Sequence, residues 1–138
     1  MRWQRWTCRS LGLLMILAFV PSGVAYADYW QASSSVTFSY EASGSDDYFT
    51  GVVESSHEPC KASRTVNVFK VRRGRDKLIA STTTLASGPN WGWMVPSYDR
   101  DGRYYAKVSR VVEKDDAHTH ICEAARSPIV RVDDDPAL

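Results

Sequence analysis

Three histidines are the residues of this chain best suited to bind a metal or to move a proton. The segment "HTH" places His118 and His120 two positions apart, so both imidazoles lie on one face if the segment is extended. At that spacing they could share a transition metal, with Asp116 or His57 as a further ligand. Two ligands do not make a site, however, and the neighbouring acidic segment "EKDDA" is typical of a solvated turn. The sequence therefore favours solvated histidines at a sheet edge and predicts no metal site.

Established catalytic motifs are missing from the sequence. It contains no G-x-S-x-G, no H-E-x-x-H and no glycine-rich phosphate loop. His57 beside Glu58 could act as a base, but the sequence shows no nucleophile, orienting partner and oxyanion hole to accompany it. We therefore expect no catalytic residues and no cofactor. The alternative is a small extracellular metal-dependent or hydrolytic enzyme that uses His57, His118 or His120.

Aromatic residues are concentrated in "NWGW" and "RYYA", which contain Trp91, Trp93 and Tyr105, with Tyr98 between the two segments. Together they could form a platform for sugars or for a protein partner. Alternation within a strand puts Trp91 and Trp93 on the same side, so both could instead pack in the core. We expect at least one of the two tryptophans to be structural, because a small domain builds its core from few large apolar side chains. A recognition surface would use whichever of the four residues face outward, with a polysaccharide or a protein of the cell envelope as partner.

The first 27 residues have the organisation of a secretory signal peptide. Three arginines precede the ten-residue apolar run "LGLLMILAFV", and "PSG" ends that run before "AYA". A run of this length is too short to span a bilayer, which takes about 20 residues. We expect cleavage between Ala27 and Asp28, export of residues 28–138, and loss of Cys8 with the signal peptide. The mature protein is thus predicted to be secreted, without stable insertion in the membrane.

Cys60 and Cys122 are the two cysteines that remain after this cleavage. In an oxidising compartment two such thiols pair by default, whereas a metal site would need C-x-x-C spacing or further ligands. We therefore predict a disulfide between Cys60 and Cys122. Because it joins positions 62 apart, the loop-entropy model gives it a stabilisation of about 4 kcal/mol.

Size and charge limit the function further. Removing 27 of the 138 residues leaves 111, which is enough for one domain with a modest core. The signal peptide takes three arginines and no acid, so the formal net charge falls from +1 to −2. The sequence therefore argues against a nucleic-acid-binding protein.

Residues 28–138 show the pattern of short strands separated by turns, with candidate strands at residues 34–42, 47–55, 64–71, 77–84, 91–95, 103–112, 120–125 and 128–132. Val36, Phe38 and Tyr40 alternate with polar residues, which is the period of a half-buried strand. Other sets that alternation places on one face of a strand are Val66 with Val68, and Tyr104 with Ala106 and Val108. We predict an all-β fold, a single antiparallel Ig-like or transthyretin-like β-sandwich of about seven to eight strands, with a barrel as the lesser alternative. Residues 132–138 are expected to be a frayed acidic tail.

Several short segments carry a resemblance to known domains. They are Cys60 with Arg64, Val66 and Val68, then "STTT" with "GPNWGW", then "DGRYYAKV" and "CEAARSPIV". With them the chain from about Val36 to Val132 resembles small secreted β-sandwich domains of the transthyretin-like, carboxypeptidase-regulatory-like or Cna-B-like kind, especially exported proteins of actinobacteria. The resemblance implies an extracellular structural or binding module without catalysis of its own. It implies no particular ligand.

Mass analysis of the exported protein tests the signal peptide and the cysteine pairing together. We expect the chain to begin at Asp28 and, without reductant, to be two hydrogens lighter than its reduced form. A mass that retains Cys8, or two thiols that react with an alkylating reagent without prior reduction, would contradict the prediction.

Overall fold

The computed structural model describes residues 28–43, 46–97, 101–114 and 116–133. These residues form an all-β fold of thirteen short strands and one 3-10 turn, Glu58–Cys60. The strands are β1 (Asp28–Ala32), β2 (Ser34–Val36), β3 (Ser39–Ser43), β4 (Asp46–Ser55), β5 (Thr65–Lys70), β6 (Lys77–Thr83), β7 (Leu85–Ser87), β8 (Asn90–Pro96), β9 (Gly102–Val108), β10 (Val111–Lys114), β11 (His118–Cys122), β12 (Ala125–Arg126) and β13 (Val130–Val132). Within these ranges no helix is long and apolar enough to cross a membrane.

The strands form two five-stranded sheets and one smaller sheet. One large sheet has the order β12-β9-β5-β6, with β13 also paired to β9, and the other has the order β2-β4-β8-β7, with β3 also paired to β4. The third sheet has the order β1-β11-β10. The pairs are antiparallel except β1 with β11, which is parallel. The predicted all-β sandwich is thereby confirmed.

The core lies between the two large sheets and follows the alternation seen in the sequence. Its buried residues are Val36, Phe38, Phe49, Val53, Val66, Val68, Trp93, Val95, Tyr104, Ala106, Val108 and Val132. Each large sheet thus turns one apolar face inward, as the period of two along a half-buried strand requires. Phe49 packs against Tyr104 of the opposite sheet with ring centroids 4.8 Å apart. The predicted inward sets are confirmed, with Tyr40 partly buried against the same core.

The structure has more strands than the seven to eight predicted because three of the predicted strands are interrupted. Thr37 and Phe38 separate β2 from β3, Ser109 and Arg110 separate β9 from β10, and the residues after Cys122 separate β11 from β12. Two further strands, β1 and β7, lie in segments where the sequence indicated none.

Arg64 lies where two of these interruptions, after β9 and after β11, approach the 3-10 turn. Its side chain is buried, with 3% of its surface exposed. Nη1 donates to the carbonyl oxygen of Cys60 at 2.8 Å and to Oγ of Ser34 at 3.1 Å. Nη2 donates to the carbonyl oxygens of Ser109 at 2.7 Å and of Glu123 at 3.2 Å. Burial lowers the pKa of the guanidinium, but an arginine stays charged in proteins.

The predicted disulfide is present and joins the 3-10 turn to the third sheet. Cys60 ends the turn and Cys122 ends β11, with their Cα atoms 5.2 Å apart. Both cysteines are buried together with Ala32 of β1, and Val111 of β10 packs against them. The bond therefore fixes the segment after β4 to β11.

The ends of the chain are only partly described. Val132, which the sequence placed in a frayed tail, pairs with Gly102 in the ladder between β13 and β9 and is buried. The ordered fold therefore includes it. The predicted signal peptide, residues 1–27, and the last residues, 134–138, lie outside the described residues, as does Tyr98.

Two paired strands of the second large sheet approach each other closely at a glycine. Gly51 of β4 is opposite Trp93 of β8. A Cβ atom at Gly51 would clash with the carbonyl oxygen of Thr37 and would lie 2.8 Å from Nε1 of Trp93. At Gly92, the nearest atoms would be 3.7 Å and 3.8 Å away, which is ordinary contact. Of these two glycines, Gly51 is therefore the one that packing requires.

Replacing each glycine by alanine tests this difference. Gly51→Ala should lower the free energy of unfolding by about 1–3 kcal/mol, because the backbone at Thr37 has to move. Gly92→Ala, the matched control, should be close to neutral. Urea denaturation of the two variants measures both values. Equal losses would contradict the packing argument.

Candidate functional site

The three histidines lie together on the surface formed by β1, β11 and the residue before the 3-10 turn. His118 and His120 point to the same side of β11. His57 is the residue before the 3-10 turn, which begins at Glu58. The parallel ladder pairs Trp30 of β1 with His120. We call these four residues, Trp30, His57, His118 and His120, the histidine cluster.

His57 and His120 form the centre of this cluster. Nε2 of His57 lies 2.9 Å from Nδ1 of His120, which is a hydrogen bond between the two rings. The ring planes differ by 16° and the ring centroids are 5.0 Å apart. The distance between the centroids is close to the nitrogen–nitrogen distance plus the distance from each centroid to its own nitrogen. The two rings therefore meet edge to edge. One imidazole donates its N–H and the other accepts with its lone pair.

The outer members of the cluster extend it on both sides. The indole of Trp30 stacks on His57 with 5.4 Å between centroids and 4° between planes. The ring of His118 lies 6.0 Å from that of His120, and its Nε2 is 3.8 Å from Oδ2 of Asp28. The backbone N–H of His57 donates to Oγ of Ser55 at 3.3 Å.

The sequence prediction of solvated histidines is therefore modified by the fold. All three histidines are half-buried and gathered in one place. Asp116, the suggested partner of a shared metal, is exposed. Among the described residues no three His, Cys, Asp or Glu side chains converge to hold one ion. The structure thus brings together the pair His57 and His120, with no third protein ligand among the residues that it describes.

The proposed aromatic platform is not assembled as one surface. Trp93 is 4% exposed and packs on Phe38, so the expectation that at least one tryptophan is structural is confirmed. Tyr105 is 7% exposed, stacks on Phe69, and lies beneath the guanidinium of Arg126 at 3.7 Å from the ring centroid. Neither residue can present its ring to a ligand. Tyr98 lies outside the described residues.

The hydroxyl group of Tyr105 has a structural partner on the turn between β5 and β6. It donates to Oδ2 of Asp76 at 2.9 Å, and Oδ1 of the same carboxylate accepts from the backbone N–H of Arg72 at 3.2 Å. This backbone hydrogen bond, followed by that from Tyr105, lowers the pKa of Asp76. Burial and then the carboxylate of Asp76 raise the pKa of Tyr105. Tyr105 is therefore a packing residue that helps to hold this turn.

Of the three platform residues that the structure describes, Trp91 is the one that remains accessible. It is half-buried at the start of β8, and its Nε1 donates to Oε1 of Glu58 at 2.6 Å. The other carboxylate oxygen of Glu58 accepts from Nζ of Lys61 at 2.8 Å. Lys61 and then Trp91 hold the pKa of Glu58 below its usual value, so the carboxylate that fixes the indole is ionised. From the sequence, Glu58 was indicated only as a neighbour of His57, and its contact with Trp91 was not predicted.

Beside Trp91 lies a polar cleft of about 430 Å³. The side chains that line it carry mainly hydroxyl, amide and charged groups; they include Ser33, Ser34, Ser35, Glu54, Ser55, Ser56, Lys61 and Asn90. Pro89 and the apolar pair Val52 and Val53 complete the lining. We call this cavity the Trp91 cleft. Its serines come from two stretches far apart in the chain, so their convergence could not be recognised from spacing.

A second groove of about 450 Å³ runs along β7 and β8 and is less polar. It is lined by Leu85 and Met94, which are 72% and 59% exposed. Alternation with the buried Trp93 explains why Met94 faces outward. Leu85 belongs to β7, a strand that the sequence analysis did not predict.

No protein-family model, curated protein or solved structure matches the chain. The resemblance to transthyretin-like, carboxypeptidase-regulatory-like and Cna-B-like domains therefore stays a prediction.

The disulfide positions both candidate sites, and its removal tests this role. In the double variant Cys60→Ser, Cys122→Ser, the free energy of unfolding should fall by about 4 kcal/mol, since the loop constraint on the unfolded chain is lost. Denaturant titration measures the loss, with the wild-type protein under reducing conditions as a comparison. The ring hydrogen bond between His57 and His120 should also weaken, which nitrogen-15 spectra of the imidazoles report. An unchanged stability would contradict the assigned role.

Proposed function

We propose that this protein is a secreted, disulfide-bonded β-sandwich that binds a polysaccharide of the cell envelope without catalysing a reaction. The observation that carries the proposal is the position of Trp91, a fixed and accessible indole on the wall of a polar cleft. Secretion rests on the signal-peptide pattern of residues 1–27, and the disulfide is compatible with an oxidising compartment. The β-sandwich and its resemblance to extracellular modules agree with such a role.

The chemistry of the Trp91 cleft suits a sugar chain. An indole combines a large apolar face with a polar edge, and the apolar C–H faces of sugar rings can pack against it. Serine hydroxyls both donate and accept hydrogen bonds, as sugar hydroxyls do, and Asn90 adds an amide with both capacities. A cavity with an aromatic wall and several convergent polar groups is the usual form of a small-ligand site.

The indole is also held in place before any ligand arrives. The ion pair between Glu58 and Lys61 fixes the carboxylate, and the carboxylate fixes the N–H edge of Trp91. A ring that is already ordered loses little conformational freedom on binding, which favours affinity. The exposed ion pair itself adds little stability, so its value here is positional.

A hydrolytic function at the histidine cluster is less well supported. A base catalyst needs a free ring nitrogen directed at a nucleophile or water. Nε2 of His57 and Nδ1 of His120 are instead directed at each other, and no side chain of the described residues forms a hydrogen bond with the other nitrogen of either ring. The described contacts of these two nitrogens therefore form a histidine pair and not a nucleophile with its base.

Trp91→Ala tests the proposal. A central aromatic anchor commonly contributes about 2 kcal/mol or more, so binding to envelope polysaccharide should weaken roughly 30-fold or more. Affinity electrophoresis against a panel of cell-wall polysaccharides measures the loss. A pull-down with envelope proteins tests whether the partner is a protein instead. The melting temperature should change little, because Trp91 is only half-buried.

The matched control is Tyr29→Ala, which removes an exposed aromatic side chain outside the Trp91 cleft and should retain binding. Full binding by a stable Trp91→Ala protein would move the site elsewhere. Binding to an envelope protein alone would replace the polysaccharide as ligand, and a collapse of stability would show that Trp91 is structural.

A further inference from the structure

The hydrogen-bonded pair His57 and His120 has no role in the proposed polysaccharide binding. Its two facing nitrogens come from positions 63 apart in the chain and lie on a half-buried surface that solvent can reach. Imidazole nitrogens are common ligands of copper, nickel and zinc. A pair of them held at a fixed distance can therefore occupy two positions of an ion whose other positions are filled by water, although the sequence predicted no metal site and no three side chains of the described residues converge.

The distance between the nitrogens indicates which geometry the pair suits. Metal–nitrogen bonds of about 2.0–2.1 Å at a right angle place two adjacent ligands about 2.9 Å apart, while a tetrahedral angle places them about 3.3 Å apart. The observed separation between Nε2 of His57 and Nδ1 of His120 is 2.9 Å. Adjacent corners of a square-planar centre match this distance, and that geometry is typical of Cu²⁺ and Ni²⁺.

We propose that His57 Nε2 and His120 Nδ1 bind a Cu²⁺ ion at two adjacent coordination positions, with water in the others. Of the divalent ions that accept imidazole, Cu²⁺ forms the most stable complexes. The lone pairs now lie close to the line between the two nitrogens, so each ring has to turn until its lone pair points at the ion, by up to about 45° for a right angle at the metal. This metal site is separate from the Trp91 cleft and from the polysaccharide proposed to bind there.

The protons balance without a change in charge on either ring. The hydrogen now shared between the two nitrogens moves, through solvent, to the far nitrogen of its own ring. Each ring is then a neutral imidazole with one N–H, on Nδ1 of His57 and on Nε2 of His120. Binding therefore replaces the ring–ring hydrogen bond by two metal–nitrogen bonds, and acid opposes it by protonating the ligands.

The surrounding structure holds the two histidines beside each other and places a negative charge near them. The disulfide fixes the turn that follows His57 to β11, which carries His120, and the indole of Trp30 stacks on His57. Glu113 of β10 is the cross-strand partner of His120, so its carboxylate is attached directly beside this ligand. Its negative charge attracts a cation to the pair, and the proposed site does not include this carboxylate as a ligand.

Titration of the untagged, oxidised protein with CuCl₂ tests the site. Because Trp30 stacks on His57, a bound Cu²⁺ ion should quench its fluorescence in a saturable way. Electron paramagnetic resonance should show a tetragonal Cu²⁺ with two imidazole nitrogens. ZnCl₂ under the same conditions should bind more weakly, since its tetrahedral geometry requires the rings to separate.

Three glutamine variants assign the ligands. His57→Gln and His120→Gln should each weaken Cu²⁺ binding by roughly tenfold or more and remove one imidazole from the resonance spectrum. His118→Gln is the matched control, because it removes the neighbouring histidine of the same strand but leaves the pair intact. Its affinity should stay within about twofold of the wild type.

The same measurements can overturn the proposal. It fails if His118→Gln weakens binding as much as the other two variants, or if Cu²⁺ binds His57→Gln and His120→Gln as it binds the wild type. It also fails if the wild-type spectrum lacks two imidazole nitrogens. Near-UV circular dichroism checks that the variants fold, and the spectrum of the wild-type complex decides the case if one does not.

Discussion

One buried cation, the guanidinium of Arg64, connects three places where the chain leaves a strand. It donates to the carbonyl groups of Cys60, Ser109 and Glu123, which follow β4, β9 and β11 respectively. A chain that leaves a sheet exposes backbone groups that lose their ladder partners, and a buried acceptor without a donor costs about 1–3 kcal/mol. A guanidinium presents several donors in one plane, so it can serve several such carbonyls at once. The sandwich can therefore pass its chain from the large sheets into the small third sheet without leaving these groups unsatisfied.

The same arrangement fixes the segment that carries both candidate sites. Cys60 is held twice, through its sulfur by Cys122 and through its carbonyl oxygen by Arg64. The 3-10 turn that ends at Cys60 is closed by a hydrogen bond from its backbone N–H to the carbonyl oxygen of His57 at 2.9 Å. Two consecutive side chains then serve different surfaces, since His57 contacts His120 and Glu58 contacts Trp91. A constraint on a short turn thus positions a histidine pair and an aromatic cleft together.

The parts of this structure that could be predicted from the sequence are those with a local cause. Alternation along a strand depends on neighbouring residues, and it identified the inward faces that contain Val66 and Tyr104. The disulfide followed from the number of cysteines after signal cleavage. The strand interruptions were not predictable, because Ser109 leaves its strand toward a donor 45 positions earlier in the chain. The pairing of His57 with His120 likewise depends on a turn and on a parallel ladder that no local pattern announces.

The two tryptophans of β8 show why the candidate site could be predicted only in part. Trp91 and Trp93 have the same orientation by alternation, yet Trp93 lies opposite Gly51 in the middle of the sheet and is covered by the core. Trp91 lies near the start of the strand, where it pairs with Ala86 of the edge strand β7 and is met by Glu58 instead of by an apolar neighbour. The strand alone determines to which side of the sheet a side chain points, whereas the burial of that side chain depends on which residues of the rest of the chain pack over it. The carboxylate of Glu58 accepts the indole N–H of Trp91 at the surface, so the half-buried ring is held by a polar contact there instead of by the apolar core that covers Trp93.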